Sequence, residues 1–537
     1  MHIHLIEEFG DFNAVRGDWE AVYDADPEAQ FFLSWQWLAD WLEIHRTVWF
    51  VLAAKHRETD PNYIAFLPLR MLTQFDNSHG LFNELIFGGT GFSDYTGILA
   101  RPECEAEAVA AFADYLKRAL NWARFTMHNL AISERRRQLF LAAFDESRFV
   151  HTPLEHKNPN EPTDHDVCPA IDLPAHWDDY LATLSANNRQ KIRRLLRKIE
   201  ASEVYRIELS DEGSFDSNLK ILLDFWKIKW TPSKGAERAD EIALLNYTVL
   251  VRCAAHGALF LPVLWHGDRP VAALATLIDP CKKSLLFSIA GRDESYRELP
   301  AGYLLHAYSI RHAIAHGFTT YDFLKGDEPY KYLFAPQQER RLRGCTVATR
   351  TSHNLRTGLE PRAIASAIEL TAELHDQGDA AIAERGYRQI LEVAPDHALA
   401  LYRFGRLMAD NGDHAQAREL LSRSVAAEPD GDNAWLCLAR SLLALGQNQE
   451  ALAACYEAVR LQPENEEARE LLVGLGAPAA HPAMATIWPG EPVERMPAPH
   501  PAPAALDGDR LLHQQAQDIH EQIREYLDAF VIPQPRL

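Results

Sequence analysis

Apolar and polar positions alternate between residues 258 and 334 in a pattern that predicts strands followed by a helix. Three short apolar runs bounded by Gly, Pro or Asp predict strands at residues 258–267, 270–279 and 283–292. Residues 301–316 then carry apolar side chains at helical spacing and end at Gly317. Residues 319–324 return to a strand pattern. This segment therefore predicts an antiparallel meander, a crossover helix and one further strand.

The N-terminal part of the chain predicts a second set of α/β elements. An aromatic-rich helix, two strands and a strong helix are expected at residues 30–45, 49–54, 63–72 and 103–123. A glycine-rich turn at residues 88–91 lies between the second strand and the last helix. Residues 157–166 are polar and broken by proline, which indicates a boundary. We therefore predict one unit over residues 1–165 and another over residues 166–350.

From residue 362 to residue 476 the chain becomes rich in alanine and leucine and repeats with a period of 34 residues. Three position classes share this period, namely prolines at 395, 429 and 463, glycines at 378, 412 and 446, and alanines at 383, 417 and 451. This pattern resembles the tetratricopeptide repeat (TPR), in about three copies. The resemblance implies an all-α solenoid that binds a protein partner.

The C-terminal tail divides into two segments of different composition. Residues 477–505 are rich in Pro, Ala and His, which predicts a flexible linker. Apolar residues recur at helical spacing over residues 506–532, which predicts a terminal amphipathic helix. This helix would either dock back on the repeats or bind a partner.

Composition narrows the class of protein. A net charge of −22 argues against a general nucleic-acid binder, whose affinity depends on neutralising phosphates. The seven cysteines are scattered without a C-x-x-C pair, which is typical of a reducing compartment and predicts no zinc site or other metal centre. No signal peptide or membrane-spanning run is recognisable, so we expect a soluble, cytoplasmic protein.

The predicted helix at residues 301–316 begins at Pro300-Ala301-Gly302. Free backbone N–H groups at a helix start, together with the helix dipole, favour a phosphate, and glycine permits its close approach. An ordinary proline-initiated helix is the alternative. The strand-turn-helix-strand context favours the phosphate site.

Charged residues follow the last predicted strand, at the carboxyl edge where α/β proteins commonly place ligands. They include Asp322, Lys325, Asp327 and the pair Tyr330-Lys331. A lysine there can stabilise the oxyanion formed during acyl transfer, and an aspartate can accept the proton of the attacking group. A solvated acidic turn is the alternative.

Two further features are candidates for binding a substrate. The predicted helix at residues 187–200 places six cations on two faces, which are Arg189, Arg193 and Arg197 on one and Lys191, Arg194 and Lys198 on the other. A phosphorylated ligand or a lipid headgroup would suit this helix, the latter implying peripheral membrane association, whereas a solvated face is the alternative. Asp94-Tyr95, after the glycine-rich turn, would contact a polar acceptor or cap a turn.

Three stretches, at residues 89–99, 187–200 and 291–334, resemble one family. They are similar to the CelD-like group of GCN5-related acetyltransferases (GNAT), associated with cellulose and exopolysaccharide biosynthesis. That group is similar in turn to Fem-type aminoacyltransferases, which pair two GNAT-like units around a cleft. The implied fold is α/β, with tandem GNAT-like units followed by an all-α TPR solenoid. The usual phosphate loop is reduced here to residues 297–302 with one glycine, which puts a tight grip on acetyl-CoA in doubt.

The resemblance implies roles for individual residues. Acetyl-CoA, the expected acyl donor, would be bound by Ser288, Ala290, Arg297, Ala301, Gly302 and Tyr303. The acceptor, a small or sugar-linked molecule, would be bound by Asp94, Tyr95, Arg189, Arg193 and Lys325. Catalysis would involve Lys331 on the oxyanion, Tyr330 beside it, and Asp322 or Asp327 as base.

The expected function is acyl transfer, from acetyl-CoA to an amine or hydroxyl of a sugar-linked or cell-envelope acceptor in polysaccharide biosynthesis. Two alternatives stay open. One is a Fem-like transferase that uses aminoacyl-tRNA, and the other is a non-catalytic assembly factor for a polysaccharide synthase. We expect Lys331→Ala to leave folding intact, because a loop lysine at a cleft edge contributes little packing.

Overall fold

A computed structural model describes residues 1–44, 48–77, 80–154, 163–211, 213–350 and 358–476 of the protein. The predicted linker and terminal helix lie outside these residues. The elements up to residue 153 are β1 (His2–Ile6), α1 (Phe9–Ala14), α2 (Arg16–Ala25), α3 (Trp35–Ile44), β2 (Trp49–Lys55), β3 (Ala65–Asp76), β4 (Gly80–Phe87), β5 (Leu99–Ala100), α4 (Glu105–Ala119), β6 (Arg124–Met127), α5 (Glu134–Leu141) and β7 (Phe149–Pro153). Short 3₁₀ turns at Phe31–Leu33 and Pro102–Cys104 precede α3 and α4.

A second set of α/β elements follows. They are β8 (Val167–Asp172), α6 (Trp177–Thr183), α7 (Ala186–Glu200), β9 (Tyr205–Leu209), α8 (Phe215–Lys234), α9 (Ala236–Ala255), β10 (Leu259–Phe260), β11 (Pro262–His266), β12 (Arg269–Asp279), β13 (Ser284–Arg292), α10 (Ala301–Ala315), β14 (Thr320–Asp322), β15 (Gln338–Arg341) and β16 (Cys345–Thr349). The run predicted as one strand at residues 258–267 is therefore two, β10 and β11. The predicted helix at residues 301–316 is confirmed as α10.

The strands form two sheets with the same internal order. The first runs β1-β2-β3-β4-β6-β16-β7, and the second runs β9-β11-β12-β13-β14-β8-β15. In each sheet an antiparallel set is followed by a crossover helix, α4 or α10, and then by a strand parallel to the last one, β6 or β14. The second and first units are therefore topological repeats of one another.

The two units exchange a strand. The strand next to β6 is β16, which comes from residues 345–349 at the far end of the second unit. The strand next to β14 is β8, which directly follows β7 of the first unit in the chain. Residues 345–349 fall within the predicted second unit at residues 166–350, but their strand pairs with β6 and β7 of the first sheet.

The sheets are covered by helices on both faces, and one apolar core is shared between the units. This core joins Trp19 and Leu38 from the first unit with Leu222, Leu250 and Ala273 from the second. A separate core lies between the first sheet and α4 and α5. Another lies between the second sheet and α6, α7 and α10. The shared core means that the two units pack as one body rather than as independent domains.

The repeat region forms a run of helices as predicted. These are α11 (Ile364–Asp376), α12 (Ala380–Val393), α13 (Ala398–Asp410), α14 (His414–Ala427), α15 (Asp432–Ala444), α16 (Asn448–Leu461) and α17 (Glu466–Gly474). Gly378, Gly412 and Gly446 follow α11, α13 and α15 with φ of +91°, +83° and +74°. This conformation strains other residues, so the periodic glycines end the first helix of each pair.

The repeats dock on the first unit at the turn between β3 and β4. The side chain of Gln389 accepts a hydrogen bond from the Leu81 N–H at 2.8 Å and donates to the Leu81 carbonyl at 3.3 Å. The N–H of Glu360 donates to Asn83 at 2.7 Å, and the Glu360 carboxylate accepts from the Asn121 N–H at 2.9 Å. Leu81 belongs to the core of the repeats, so the solenoid is fixed to this hairpin.

Candidate functional site

The strands β13 and β14 diverge after a short parallel contact. They pair over three residues, from Ser284–Thr320 to Leu286–Asp322, which confirms that they are neighbouring strands. On its other side β13 pairs with β12, where the register shifts so that Ser288 has no partner and forms a bulge. The backbone of β13 beyond Leu286 is therefore unpaired toward β14 within the described residues, at the place predicted for Ser288 and Ala290 to bind a donor.

The start of α10 has free N–H donors, and its first turn carries no acidic residue, although Glu298 lies two residues before Pro300. The first helical hydrogen bond runs from the Leu304 N–H to the Pro300 carbonyl at 3.0 Å, so the N–H groups of Ala301, Gly302 and Tyr303 precede it. The first turn has no acidic residue and no side-chain cap. No atom lies within 4 Å of a Cβ built on Gly302. These features fit a phosphate group.

Arg297 and Tyr303 flank this helix start. Arg297 is exposed, and no hydrogen bond or ion pair joins it to another described residue. The Tyr303 hydroxyl is buried without a hydrogen-bond partner, and burial raises the pKa of Tyr303 to about 12. Its ring stacks on Phe334, with centroids 4.7 Å apart. An unpartnered buried hydroxyl beside a free helix start is consistent with a site that a ligand completes.

His306 occupies the centre of an aromatic cluster between α10 and the loop after β14. Its Nδ1 lies 2.9 Å from the hydroxyl of Tyr321, and its ring lies 4.6 Å from Phe287 and 5.7 Å from Tyr330, between centroids. Burial, followed by the charge of Lys331, lowers the pKa of His306 to about 3. His306 is not among the residues predicted for the site. A polar position inside the apolar stripe of α10 was the available signal.

Lys331 is buried, with 1% of its surface exposed, rather than placed on an open loop. Its ammonium donates to the carbonyls of Lys325 at 2.7 Å and Gly326 at 2.9 Å, and pairs with Glu328 at 2.9 Å. The premise that Lys331 is a loop lysine with little packing is therefore wrong, and we now expect Lys331→Ala to destabilise the loop, because it removes three polar contacts from a buried site. Lys331 holds the loop after β14 in shape.

Asp322 joins the two units. Its carboxylate accepts both contacts of the Tyr95 hydroxyl, at 2.9 and 3.0 Å, and a hydrogen bond from the Leu324 N–H at 2.8 Å. Arg340 lies 3.8 Å from the same carboxylate and 4.7 Å from the centroid of the Tyr95 ring. Burial raises the pKa of Asp322 above its ordinary value, against the effect of Arg340. Asp322 and Tyr95 thus come together, as two predicted site residues from different units.

Leu324, two residues after Asp322 in the loop, has φ of +54° although it carries a branched side chain. Such backbone strain is uncommon outside functional sites and persists only where the surroundings impose it. Here the hydrogen bond to Asp322 and the buried position of Leu324 supply that constraint.

Asp94 is the carboxylate that remains available. It is half-buried in the loop before β5, and no hydrogen bond or ion pair joins it to another described residue. Burial is the main cause that raises the pKa of Asp94, and Asp322 raises it further, while Lys325 and Lys331 lower it. Lys325 donates one hydrogen bond, to Asn129 at 2.8 Å. The positive charge of Lys325 therefore acts on the carboxylate of Asp94 at the junction of the two units.

The remaining predicted residues are held in other ways. Asp327 accepts a hydrogen bond from the Asp164 N–H at 2.7 Å, which gives it a turn-capping contact. Arg193 pairs with Asp178 at 3.1 Å on the surface. Arg189 lies on the same side of α7 as Arg193. The other basic face of α7 lies close to α10. There the Lys191 ammonium is 4.4 Å from the centroid of the Tyr303 ring.

The described parts of the chain contain neither a metal-binding cluster nor a membrane-spanning helix. No group of three or more His, Cys, Asp or Glu side chains there is arranged to bind a metal ion. No helix over residues 1–44, 48–77, 80–154, 163–211, 213–350 or 358–476 has the length and hydrophobicity needed to cross a membrane.

Two sequence families match parts of the chain. The acetyltransferase (GNAT) domain family matches residues 186–332, which span α7 to the loop after β14. The tetratricopeptide repeat family matches residues 373–431 and 402–466. No curated protein matches the chain. The protein thus contains a GNAT-like acetyltransferase domain and C-terminal TPR repeats.

Solved structures resemble the chain more distantly. A crystal structure of FemX is 11% identical, covers 64% of this chain and 97% of its own, and gives a TM-score of 0.45. A conserved protein of unknown function from Bacteroides thetaiotaomicron is 14% identical, with coverages of 65% and 100% and a TM-score of 0.38. The first TPR domain of RPAP3, bound to an HSP90 peptide, is 18% identical, with coverages of 21% and 91% and a TM-score of 0.21. All three scores are below 0.5, so the family matches alone support the assignment.

Proposed function

We propose that the protein transfers an acyl group from acetyl-CoA to an amine or hydroxyl acceptor bound at the junction of the two α/β units. The proposal is carried by three observations together: the parallel pairing of β13 and β14 ends at Leu286–Asp322, the first turn of α10 is neutral and uncapped, and the charges of Asp322 and Lys325 act on the available carboxylate of Asp94. The match of residues 186–332 to GNAT acetyltransferases supports the reaction class.

The donor would lie along the unpaired part of β13. The free backbone groups around the Ser288 bulge suit the amides of the pantetheine arm, and the N–H groups of Ala301 and Gly302 suit its pyrophosphate. Arg297 would add a positive charge near these phosphates. The thioester would then lie toward Phe287 and the cluster around His306.

The chemical step requires one proton to leave the acceptor. The lone pair of the acceptor attacks the thioester carbonyl and forms the new C–N or C–O bond, the C–S bond breaks so that coenzyme A leaves as its thiolate, and Asp94 accepts the proton of the acceptor. A raised pKa makes a carboxylate a stronger base, which suits Asp94 to this role. Lys325 would stabilise developing negative charge, and Lys331 would hold its loop and contribute charge.

The acceptor class follows from the CelD-like resemblance, which implies a sugar-linked or cell-envelope molecule in polysaccharide biosynthesis. Tyr95, Asp94 and Lys325 would line its binding site. The TPR repeats would bring a protein partner to the enzyme.

A transferase that uses aminoacyl-tRNA is the second candidate. The observation that favours it is the basic helix α7, where Arg189, Arg194 and Arg197 form no ion pair with any other described residue. Such a helix could bind RNA phosphates.

Calorimetry with acetyl-CoA and with tRNA separates the two candidates. We expect acetyl-CoA to bind with little dependence on salt. Binding of tRNA that weakens steeply with salt, together with no binding of acetyl-CoA, would refute the proposal. A protein that binds neither ligand, and shows no acyl-CoA hydrolysis, would support the non-catalytic assembly factor.

Asp94→Asn tests the base. We expect kcat/KM to fall by about 100-fold or more, the usual contribution of a general base. In the wild type the acidic limb of the pH profile should lie above the ordinary range of aspartate, since the pKa of Asp94 is raised. The matched control is Asp327→Asn, where a turn contact is replaced and activity should change little. Equal losses in both variants would move the base away from Asp94.

A further inference from the structure

The helix α7 crosses beside the start of α10 and is fixed there by packing. Its apolar residues Ile192, Leu195 and Leu196 are buried in the core that includes α10. The side chain of Asn188 donates to the Leu333 carbonyl at 2.9 Å, which anchors the N-terminal end of α7 at the loop after β14. The orientation of the basic side chains of α7 is therefore set by its buried face.

One row of cations on α7 runs along the segment that leads into α10. Lys191 lies over the ring of Tyr303, at 4.4 Å. Two turns later Lys198 lies over the ring of Tyr205, at 4.9 Å, and lowers the pKa of Glu298 as a minor cause behind its hydrogen bond from Tyr205. Residue 298 precedes the start of α10 and residue 303 lies in its first turn. Lys198 is therefore near the segment before the helix, and Lys191 is near its first turn.

Arg194 lies between these two lysines, since residues three and four apart share a helix face. It is exposed, and no ion pair joins it to another residue within the described ranges. The three side chains Lys191, Arg194 and Lys198 are called the α7 row below. On the other face, in contrast, Arg193 is neutralised by Asp178 at 3.1 Å.

Within the described residues the α7 row forms no ion pair, although Glu298 is close enough for Lys198 to lower its pKa, and the whole chain carries a net charge of −22. No ion pair shorter than 4.0 Å joins any of its three cations to an acidic residue among those described. Three adjacent cations repel one another, and such a cluster is stabilised when an anion binds to it. The row therefore points to an anionic ligand at the start of α10.

We propose that the α7 row binds the ribose 3′-phosphate of coenzyme A, so that the site selects 3′-phosphorylated thioesters. This inference rests on the proposed function. The N–H groups at the start of α10 suit the pyrophosphate, and the opening at Ser288 suits the pantetheine arm. The ribose phosphate is the one anionic group of the donor that these elements leave unbound, and the α7 row is the adjacent unneutralised positive charge.

Calorimetry with acetyl-CoA and with 3′-dephospho-acetyl-CoA tests the proposal on the full-length protein. We expect the wild type to bind acetyl-CoA about tenfold or more tightly, which is the scale of one charge-assisted contact. The double variant Arg194→Gln/Lys198→Gln should lose most of this preference while its affinity for the dephospho ligand stays unchanged. Both side chains are exposed, so circular dichroism and thermal melting should match the wild type.

Arg193→Gln, on the opposite face of α7, is the matched control and should keep the preference. A wild type that binds both ligands equally would overturn the α7 row and leave the proposed function intact. Absence of binding by either ligand would overturn both. A double variant that loses affinity for both ligands alike, or that instead loses tRNA binding with a reduced salt slope, would show that the row recognises charge in general or RNA.

Discussion

The crossover helices of the two units begin in opposite electrostatic environments, although the two sheets share one strand order. The first turn of α4 carries Glu105 and Glu107, whereas the first turn of α10 carries no acidic residue. Glu105 is buried and pairs with Arg136 at 2.8 Å. A phosphate would be repelled at α4 and attracted at α10. The same topology therefore has a helix start free of acidic residues in one unit and a helix start occupied by a buried ion pair in the other.

The antiparallel pair before each crossover helix also differs between the units, although both parallel pairs that follow are three residues long. In the first unit the register of β3 and β4 is unbroken from Leu69–Phe87 to Asp76–Gly80. There Glu84 of β4 pairs with Arg124 of β6 at 2.8 Å, which fastens the parallel strands together. In the second unit the bulge at Ser288 accompanies the opening between β13 and β14. The first unit contributes Asp94 and Tyr95 to the junction of the two units.

The exchanged strand makes the two units depend on each other for folding. Val347 is fully buried in β16, between β6 and β7 of the first sheet. Val347→Asp would bury an unpaired charge, so we expect the free energy of unfolding to fall by at least about 5 kcal/mol. Urea unfolding followed by tryptophan fluorescence and by circular dichroism should show both units losing stability in one transition.

Val150→Asp is the matched control, because Val150 pairs with β16 from β7 but is 36% exposed. We expect a change of no more than about 1 kcal/mol there. Separate transitions, one of them unchanged by Val347→Asp, would show that the two sheets fold independently despite the exchange.

The buried ion pair at the start of α4 depends on Arg136. Its guanidinium donates to both oxygens of Asp26 at 2.9 Å and to Glu105 at 2.8 Å, all three residues being buried. Arg136→Met removes the arginine partner of buried Asp26 and one of the two arginine partners of buried Glu105, so we expect a loss of about 3–5 kcal/mol in stability. The control is Arg135→Met, where a 72% exposed side chain pairs with Glu105 and contributes about 1 kcal/mol or less. If Arg136→Met and Arg135→Met lowered the free energy of unfolding equally, the buried ion pairs of Arg136 would not be what stabilises the first unit.

Local patterns in the sequence predicted much of the fold. Helical spacing and bounding glycines identify α7, α10 and the repeats, because these signals act within a few residues of one another. The pairing of β16 was not predictable in this way. A five-residue apolar run carries no information on which of two sheets it will join, since the choice depends on register with distant strands.

The candidate site was predicted as residue types at one edge of a sheet, and the chain does bring Asp94, Tyr95, Asp322 and Lys325 together. The burial of Lys331 was not predictable, since a lysine in a polar loop is ordinarily solvated. It is buried because two loop carbonyls and Glu328 satisfy its ammonium. Which charges are available therefore depends on contacts that only the folded loop defines.

The second unit keeps a neutral imidazole in its core, whereas the buried polar residues described for the first unit include no histidine. The pKa of His306 falls from 6.5 to about 3 in the folded protein. Between these values the unfolded chain binds the proton and the folded protein does not, so stability rises with pH across this window and is lost as the pH falls. The expected slope is about 1.4 kcal/mol per pH unit for one proton.

Urea unfolding at a series of pH values measures this slope, and His306→Gln should flatten it by one proton. His312, whose pKa is lowered to about 4, provides the comparison. His312→Gln should flatten the curve only above about pH 4, by the same linkage. If His306→Gln left the slope unchanged, the pH dependence of the free energy of unfolding would not arise from His306.

The smallest expected effect concerns the helix start that distinguishes α10 from α4. Gly302 has an open Cβ position and an ordinary helical backbone, so the protein itself does not require glycine there. Gly302→Ala should raise the free energy of unfolding by about 0.5–1 kcal/mol, because alanine loses less backbone freedom on folding. The added methyl group would crowd a phosphate on the same N–H groups, so acetyl-CoA should bind more weakly while urea resistance increases. A gain in stability together with a loss of acetyl-CoA affinity would identify Gly302 as a position kept for a ligand. The control is Ala301→Gly, one residue earlier, which should lower stability without crowding the phosphate. If Gly302→Ala left acetyl-CoA affinity unchanged, the difference between the two helix starts would not concern donor binding.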